Sequence, residues 1–532
     1  MRAMNIKRQI SKTQLLLAAT VALALLLTHA AFAAAPGITG TSGTTFNLVA
    51  TPSYISQPDG SSVYSWGYGC DGAPAGFAPS AISGTFCNTM QVPGPTLIIT
   101  APSSGTANVT VNLRNNLPAA AGNTSILFTG FNVTASGGVP GLLTQEAAPG
   151  GSVSYTLAIP STAAGTHAYY SGTQGDLQVE MGLYGAIIVL PNSANIPSNC
   201  TGGVHSTNAQ AQAHWGESDF RLAAAAYNHP EACYDREYLF QFSEMDPRIH
   251  REAELQANRA CTGCLTVATE PYVPAYYLIN GRSMPDDMDP NYSLEYPHQP
   301  YNGNPHMHPG ELTLLRIIGQ GRWQHPFHEH GNHVRILARD GNLILSQNDP
   351  NSLAGPLLFT TTTTPGLAMD GIYYWTGKGL NWDPYGHNPA SGDPVAKPGC
   401  IPDGNGYNTG DPTAINYFEW CQDHNKPLET APFGDVAGGG PATLPDPNIL
   451  TNGTWYGGSP YLGPNATVRA VGSTGTTPPS GTVGNSPTGE AGFAFMWHSH
   501  NEREITTNNI FPGGMLMMML VDSREFVINE SN

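Results

Sequence analysis

The sequence is unusually rich in residues that favour turns, with 61 glycines and 45 prolines among 532 residues. Charged residues make up only 11% of the sequence. Many turns and few charges predict an all-β protein with short strands and long surface loops.

Two series of strand-like segments indicate how the chain is divided. Residues 107–113 alternate between polar and apolar side chains, as a half-buried strand does, and residues 185–190 form an apolar strand that ends at Pro191. A second strand series begins at residue 238. We predict a first domain over 34–192, a polar and irregular linker over 193–233, and a second domain over 234–532 with a long loop insertion over about 371–487.

The N-terminus has the pattern of a secretory signal peptide over residues 1–33. A basic segment precedes an apolar stretch over 15–27, and Ala31-Phe32-Ala33 fits a small-x-small cleavage site. The pattern predicts export to the periplasm or the cell exterior, and an uncleaved membrane anchor is the alternative. No later segment is long and apolar enough to predict a transmembrane helix.

The formal net charge is −18. A surface this acidic repels nucleic acids and anionic lipids, so neither is a predicted partner.

Eight cysteines in the exported region favour disulfide bonds. Proximity in sequence suggests the pairs Cys70–Cys87, Cys200–Cys233 and Cys400–Cys421, although spacing alone does not fix the connectivity. Cys261-Thr-Gly-Cys264 is interpreted as a structural disulfide or loop clip in preference to a redox or metal pair.

Two histidine-rich segments carry the strongest functional signal. One is His325-Pro-Phe-His328-Glu-His330-Gly331, and the other is Trp497-His498-Ser499-His500 followed by Gly513-Gly514-Met515. Together they resemble the third and fourth copper-binding motifs of the multicopper oxidases. Supporting matches follow in the family's order: Val92-Pro-Gly-Pro-Thr96, Gly182-Leu-Tyr-Gly-Ala186 and Ile279-Asn-Gly-Arg-Ser-Met-Pro285.

The resemblance implies tandem cupredoxin-like Greek-key β-sandwiches. The segment between the two strand series is too short for a full middle sandwich, so the two-domain members of the family are the better match, and a compressed three-domain layout is the alternative. Two-domain members imply a homotrimer, with metal sites between the first domain of one subunit and the last domain of the next.

The sequence departs from the family at the blue-copper site. Ser499 stands where the family has its copper-binding cysteine, and Glu504 stands where it has the second histidine, so only His325 remains. A serine hydroxyl is a poor copper ligand at neutral pH, whereas a thiolate gives the blue site its character. We therefore predict that no blue copper binds here, and we retain His325 only as a weaker metal ligand.

The first-domain copper motifs have lost their histidines as well. Leu127 and Thr129 align with two ligand positions, and Tyr170 and Gly172 align with two more. His167 lies three residues before Tyr170 and would compensate only if its strand were shifted.

Four histidines of the family's copper cluster remain: His328, His330, His498 and His500. Strand periodicity places His328 and His330 on one face, and it places His498 and His500 opposite to Ser499. Imidazole nitrogens suit copper or zinc, so we predict one metal site with fewer than four coppers per chain. The alternative is a relic in which the imidazoles hydrogen-bond without a metal.

The leading functional hypothesis is therefore an exported copper-binding protein, and any catalysis would be a copper-dependent oxidation. A non-catalytic copper-binding or structural module at the cell surface is the alternative. The sequence assigns no catalytic residue and no organic cofactor, and it leaves metal ions, phenols and a protein partner equally open as substrates or partners.

Three further features carry weaker hypotheses. His325, Ser499 and Glu504 form the residue set of a hydrolase, but no oxyanion hole or nucleophile elbow accompanies them. His306 and His308 are interpreted as a surface turn in preference to a second copper site. Methionines between residues 515 and 519 are interpreted as core packing in preference to copper(I) ligands.

Overall fold

A computed structural model describes residues 35–40, 45–79, 87, 89–378, 401–422, 458–462, 483–485, 492–524 and 526–529. The predicted signal peptide, Cys400 and most of the predicted insertion lie outside these residues.

The N-terminal half forms a sandwich of two mixed sheets. One sheet has the strand order β4-β1-β5-β13-β12-β7 and the other has the order β3-β2-β6-β11-β8, while β9 and β10 pair as a separate hairpin. The strands are β1 Gly37–Thr39, β2 Thr45–Ser56, β3 Ser62–Cys70, β4 Gly76–Ala78, β5 Leu97–Thr100, β6 Thr106–Asn115, β7 Leu127–Phe128, β8 Asn132–Gly137, β9 Val139–Pro140, β10 Gln145–Glu146, β11 Ser152–Pro160, β12 Gly165–Tyr170 and β13 Tyr184–Leu190.

Alternating side chains on these strands build the first core. Val109, Val111 and Leu113 of β6 are buried, as the period of two predicts. They join Trp66 and Tyr155 in one apolar cluster.

The C-terminal half forms a second two-sheet sandwich. One sheet runs β15-β14-β17-β23-β19-β20 with β21 beside β19, and the other runs β16-β27-β26-β18-β22 with β24 beside β26 and β25 beside β24. The strands are β14 Arg236–Met245, β15 Tyr276–Ile279, β16 His306–Met307, β17 Leu312–Gly319, β18 Pro326–Glu329, β19 Val334–Arg339, β20 Asn342–Leu343, β21 Leu357–Leu358, β22 Thr360–Thr362, β23 Ala368–Tyr374, β24 Gly458–Leu462, β25 Val483–Asn485, β26 Gly492–Ser499 and β27 Leu516–Asp522.

The predicted all-β fold class is confirmed by these sheets. In the second core Met515, Met517 and Met519 pack with Phe495 and Trp497. The methionine-rich strand therefore contributes to packing, as predicted.

Few helices interrupt the strands in the described part of the chain. They are α1 Gly175–Gln178, α2 Gly203–Trp215 and α3 Pro247–Gln256, with 3-10 turns at Ala119–Ala121, Ser193–Asn195, Ser198–Thr201 and Asp286–Met288. None of the described helices is long and apolar enough to cross a membrane.

The predicted irregular linker contains the 13-residue helix α2, which the sequence analysis missed. Asn208 of this helix is buried and donates to Asp235 at 3.1 Å, while Nδ1 of His205 lies 2.7 Å from the same carboxylate. These buried polar contacts hold the helix in place. Because its buried residues are polar, the helix shows no amphipathic pattern in the sequence. The predicted domain boundaries at 192 and 234 stay predictions.

Helix α3 belongs by sequence to the second strand series but packs on the first sandwich. It begins after Asp246, which accepts from the backbone of Arg248, and Pro247 occupies its first turn. Ile249 and Ala253 enter the first core.

Three predicted disulfides are present: Cys70–Cys87, Cys200–Cys233 and Cys261–Cys264. The last one fixes a loop whose backbone donates from Gly263 to Ala119 and from Cys264 to Ala120, each at 3.0 Å. It acts as the predicted loop clip. Cys421 is disulfide-bonded, and its predicted partner Cys400 lies outside the described residues.

Candidate metal centre

Two neighbouring strands position the retained histidines. β18 pairs with β26 so that His328 lies directly opposite His498, and Phe327 lies opposite Ser499. Side chains directly across an antiparallel pair are close neighbours, so this register brings the two histidine motifs together.

The imidazoles of His328, His330 and His498 converge. One nitrogen from each lies within 4.8 Å of the others, and Nε2 of His330 is 3.3 Å from Nε2 of His498. The ring of His500 lies 4.8 Å from that of His328, centroid to centroid, and His500 is exposed at the rim. The predicted four residues thus form one cluster, with three of them aimed at a common point.

The hydrogen bonds around the cluster suit a metal site. Nδ1 of His328 lies 2.8 Å from the hydroxyl of Thr360, and Nδ1 of His498 lies 2.7 Å from the carbonyl oxygen of Ser499. Such bonds fix one ring nitrogen and leave Nε2 as the ligand atom.

The imidazoles are also held neutral. Burial, together with the repulsion from three neighbouring imidazoles, lowers the pKa of His328 to about 3, and burial lowers the pKa of His498 as well. Metal ligation requires the unprotonated ring, so both residues are ready to bind at neutral pH. The donor set therefore fits a copper or zinc ion.

The backbone at His330, directly after β18, is held by two hydrogen bonds. The carbonyl oxygen of His330 accepts from Nε1 of Trp497 at 2.9 Å and from the hydroxyl of Tyr373 at 3.1 Å. Gly331 follows with φ of 98°, and a Cβ there would lie 2.1 Å from the Tyr373 hydroxyl, so only glycine fits.

The former blue-copper pocket is filled by a buried polar network. Nδ1 of His325 lies 2.9 Å from Glu504, and Nε2 lies 2.9 Å from Glu244. The hydroxyl of Ser499 donates to Glu504. All four side chains are almost fully buried.

This arrangement favours a proton in place of a metal ion. Burial opposes the charge on His325, but hydrogen bonds and attraction from the two carboxylates outweigh it and raise the pKa of His325 to about 9. The carboxylates approach opposite nitrogens of the ring, so one ion could not bind all three groups. The positive charge of the imidazolium offsets one of the two carboxylate charges instead.

Glu244 is the residue that the sequence analysis missed in this pocket. It lies on β14, and its other oxygen accepts from the backbone of Arg322 at 2.6 Å and of Trp323 at 3.0 Å. Tyr272 adds a hydroxyl 3.2 Å from the same oxygen. No motif marks Glu244, because it lies 81 residues from His325 in the chain.

The geometry of a hydrolase is not formed. Ser499 donates to Glu504, while both ring nitrogens of His325 are held by carboxylates. No ring nitrogen of His325 remains to take a proton from the serine.

The first-domain ligand positions lie apart from the histidine cluster within the chain. Leu127, Tyr170 and Gly172 line a cavity of about 480 Å³, and none of the four histidines lines it. His167 is buried elsewhere, against Phe131 with 4.5 Å between ring centroids, and burial lowers its pKa.

The predicted surface turn at His306 and His308 is wrong. Both residues are buried, because β16 pairs with β27. Nδ1 of His306 lies 2.6 Å from Asp522, and Nε2 of His308 lies 2.6 Å from Glu217.

Glu217, His308 and Glu311 form a second convergent group. Arg236 donates to both carboxylates, and Arg524 donates to Glu311 at 3.1 Å. The guanidinium groups occupy the place of a cation, so this cluster is an ion-pair network.

Fold and site together describe an all-β protein of two sandwiches with a cluster of four histidines. Residues 81–194 match the family model described as multicopper oxidase. The match lies in the first sandwich, and it confirms the predicted resemblance to the multicopper oxidases for this part of the chain.

Solved structures resemble the chain at low identity. The blue copper oxidase of Nitrosomonas europaea is 14% identical, covers 90% of this chain and 85% of its own, and has a TM-score of 0.41. The multicopper oxidase mgLAC is 14% identical, covers 92% and 88%, and has a TM-score of 0.42. The copper nitrite reductase of Nitrosomonas europaea is 16% identical, covers 62% and 84%, and has a TM-score of 0.37. No curated protein matches the sequence.

Proposed function

We propose that this chain is an exported copper-binding protein that holds one copper ion through His328, His330 and His498, with His500 at the rim. The observation that carries the proposal is the convergence of three imidazole nitrogens within 4.8 Å. A set of neutral nitrogen donors binds copper(II) more tightly than zinc under the general affinity order of divalent metals.

Export is supported by two features of the chain. The N-terminal segment has the signal-peptide pattern, and three disulfide bonds join cysteines of the described chain. Disulfides persist in oxidising compartments such as the periplasm.

An oxidoreductase activity is the catalytic form of this proposal. Copper bound by imidazoles supplies one-electron redox chemistry. The chain's own residues would bind the ion, hold the ligand nitrogens in place through Thr360 and the carbonyl of Ser499, and leave the side of His500 open to solvent. The pocket of His325 holds a proton in place of an electron-accepting copper, so four-electron reduction of dioxygen in the family's manner is not expected.

The open rim also supports assembly into a homotrimer. His500 is exposed and His330 is only partly buried, as expected where a neighbouring subunit completes the surroundings of a site. The resemblance to two-domain family members implies the same arrangement.

Copper titration tests the proposal. The native protein should retain about one copper per chain after dialysis, with a copper(II) signal in electron paramagnetic resonance and without the intense visible band of a copper–thiolate bond. His498→Ala should reduce the affinity at least tenfold, because it removes one of the converging nitrogens. His214→Ala, which changes an exposed histidine of α2, is the matched control and should bind as the native protein does. No retained copper would contradict the proposal.

A non-catalytic module is the second candidate, and the ion pairs that fill the former blue-copper pocket favour it. The test is to supply the copper-bound protein with dioxygen and an electron donor, either a phenol or a reduced metal ion. If neither donor is oxidised, the protein is a non-catalytic copper-binding module.

A further inference from the structure

The cavity of about 480 Å³ lies between the two sandwiches. Its first wall includes Leu127, Tyr170 and Val179, and its second wall includes Arg322 and Pro365. Its volume falls in the range of about 300–1,000 Å³ that small-molecule sites occupy, and such sites are common between domains.

The cavity is largely apolar, and much of its wall is backbone. Glycines contribute several of its lining residues, and one of them, Gly366, lies against Tyr170: a Cβ there would be 3.2 Å from the tyrosine hydroxyl. Leu142 and Leu143 stand at the tip of the β9–β10 hairpin with 92% and 62% of their surfaces exposed, and Leu143 lines the cavity. An apolar molecule in the cavity would cover surface that is otherwise in contact with water.

The charged groups of the lining already have partners. Asp176 accepts from the hydroxyl of Thr269 at 2.7 Å, and Arg322 donates to Glu270 at 2.6 Å while its guanidinium lies 4.1 Å from the ring centroid of Tyr272. An anionic ligand would therefore lose its hydration without gaining a free counter-charge, and the Asp176 carboxylate, whose partner is a neutral hydroxyl, would repel it.

Tyr170 supplies a free hydroxyl group. This hydroxyl makes no hydrogen bond with any part of the chain that the structure describes, although the side chain is half-buried in the cavity wall. Burial raises the pKa of Tyr170, so the hydroxyl stays protonated and can donate.

We propose that this cavity binds an organic molecule that carries no negative charge and has an apolar body and an oxygen atom that accepts a hydrogen bond from Tyr170. Apolar side chains contact its body, the glycines allow it to lie close to the backbone, and the tyrosine fixes its orientation. The site goes beyond the proposed copper function, because none of the four histidines of the same chain lines the cavity, and its test uses the metal-free protein.

The test uses 6-propionyl-2-(dimethylamino)naphthalene, an uncharged fluorescent ketone whose emission reports the polarity of its surroundings. We expect saturable binding of one molecule per chain, with blue-shifted emission. Gly175→Leu should weaken binding about tenfold or more, because Gly175 lines the cavity and a Cβ there meets no atom within 4 Å, so the new side chain fills the cavity without straining the fold.

A matched control keeps this result interpretable. Gly404→Leu makes the same change at an open glycine outside the cavity and should bind the probe as the native protein does. Tyr170→Phe should weaken the ketone about threefold to tenfold, the value of one neutral hydrogen bond, and leave 2-dimethylaminonaphthalene, which lacks the carbonyl, unaffected.

Three results would overturn the proposal. They are the absence of saturable binding, equal affinities in Gly175→Leu and Gly404→Leu, and an equal loss for both probes in Tyr170→Phe. All measurements use the metal-free protein, so failure here leaves the copper proposal standing, and failure of the copper titration leaves this site standing.

Discussion

Replacing one carboxylate beside His325 tests whether a proton has taken the place of the blue copper. The pKa of His325 is about 9, against 6.5 for an unperturbed imidazole. This difference corresponds to about 3 kcal/mol of stability, because one pKa unit is worth about 1.4 kcal/mol. Since the folded pKa is the higher one, the stabilisation is complete below pH 6.5 and is lost as the pH rises through 9.

Glu504→Gln keeps an acceptor for Nδ1 of His325 and removes one of the two negative charges. The remaining charge of Glu244 should hold about half of the effect. We therefore expect the native protein to lose about 3 kcal/mol of unfolding free energy through His325 between pH 6 and 9, and the variant to lose about 1–2 kcal/mol.

Urea unfolding at several pH values measures these free energies. Glu502→Gln, which changes an exposed carboxylate on the same loop, is the matched control and should follow the native curve. Other groups that titrate in this range affect all three proteins equally, so the difference between the two variants isolates His325. Identical slopes for Glu504→Gln and Glu502→Gln would show that Glu504 does not hold the charge on His325.

Three further predictions concern the core, a disulfide and the lost ligands. Burial raises the pKa of Glu329 to about 8, so the free energy of unfolding declines as the pH rises from about 4.5 to 8, where the carboxyl ionises in the unfolded chain but stays neutral in the fold. Glu329→Gln should flatten this decline between pH 5 and 8 in urea unfolding, and an unchanged decline would count against the prediction. Removing the Cys200–Cys233 disulfide by a double alanine change should cost about 4 kcal/mol in the same assay, because it closes a loop with a sequence separation of 33, and a cost near zero would contradict the entropic argument. Restoring Ser499→Cys and Glu504→His together should give a blue absorption band with copper, whereas Ser499→Cys alone should not; a blue band from the single change would show that Glu504 does not block the pocket.

Strand periodicity predicted the histidine cluster well. The period of two placed His498 and His500 on one side and Ser499 on the other, and the structure has Ser499 in the buried network and the histidines in the cluster. The pairing of β18 with β26 could not be derived from spacing, but the resemblance to known copper motifs implied it. Whether the cluster binds a metal stays a prediction.

Long-range polar contacts were not predictable. Glu244 joins His325 from a distant strand, and Asp522 buries His306 through the pairing of β16 with β27. Sequence patterns report local periodicity and exposure, so a histidine beside proline and glycine resembles a turn even when a distant carboxylate holds it in the core. Helix α2 was missed for the same reason, since Asp235 holds its buried face.

His328 and His325 differ in the groups that surround the imidazole ring. Around His328 the neighbours are other imidazoles, and the ring stays neutral, as a metal ligand must. Around His325 the neighbours are carboxylates, and the ring stays charged. His328 of β18 therefore serves as a candidate ligand, and His325, just before the same strand, serves as a fixed cation.

X-ray absorption at the copper edge of the reconstituted protein measures the ligands of the proposed copper ion. We expect one copper per chain with three or four nitrogen ligands from imidazole rings, no sulfur ligand, and loss of this spectrum in His498→Ala. A copper–sulfur contribution, or a spectrum that His498→Ala leaves unchanged, would contradict it.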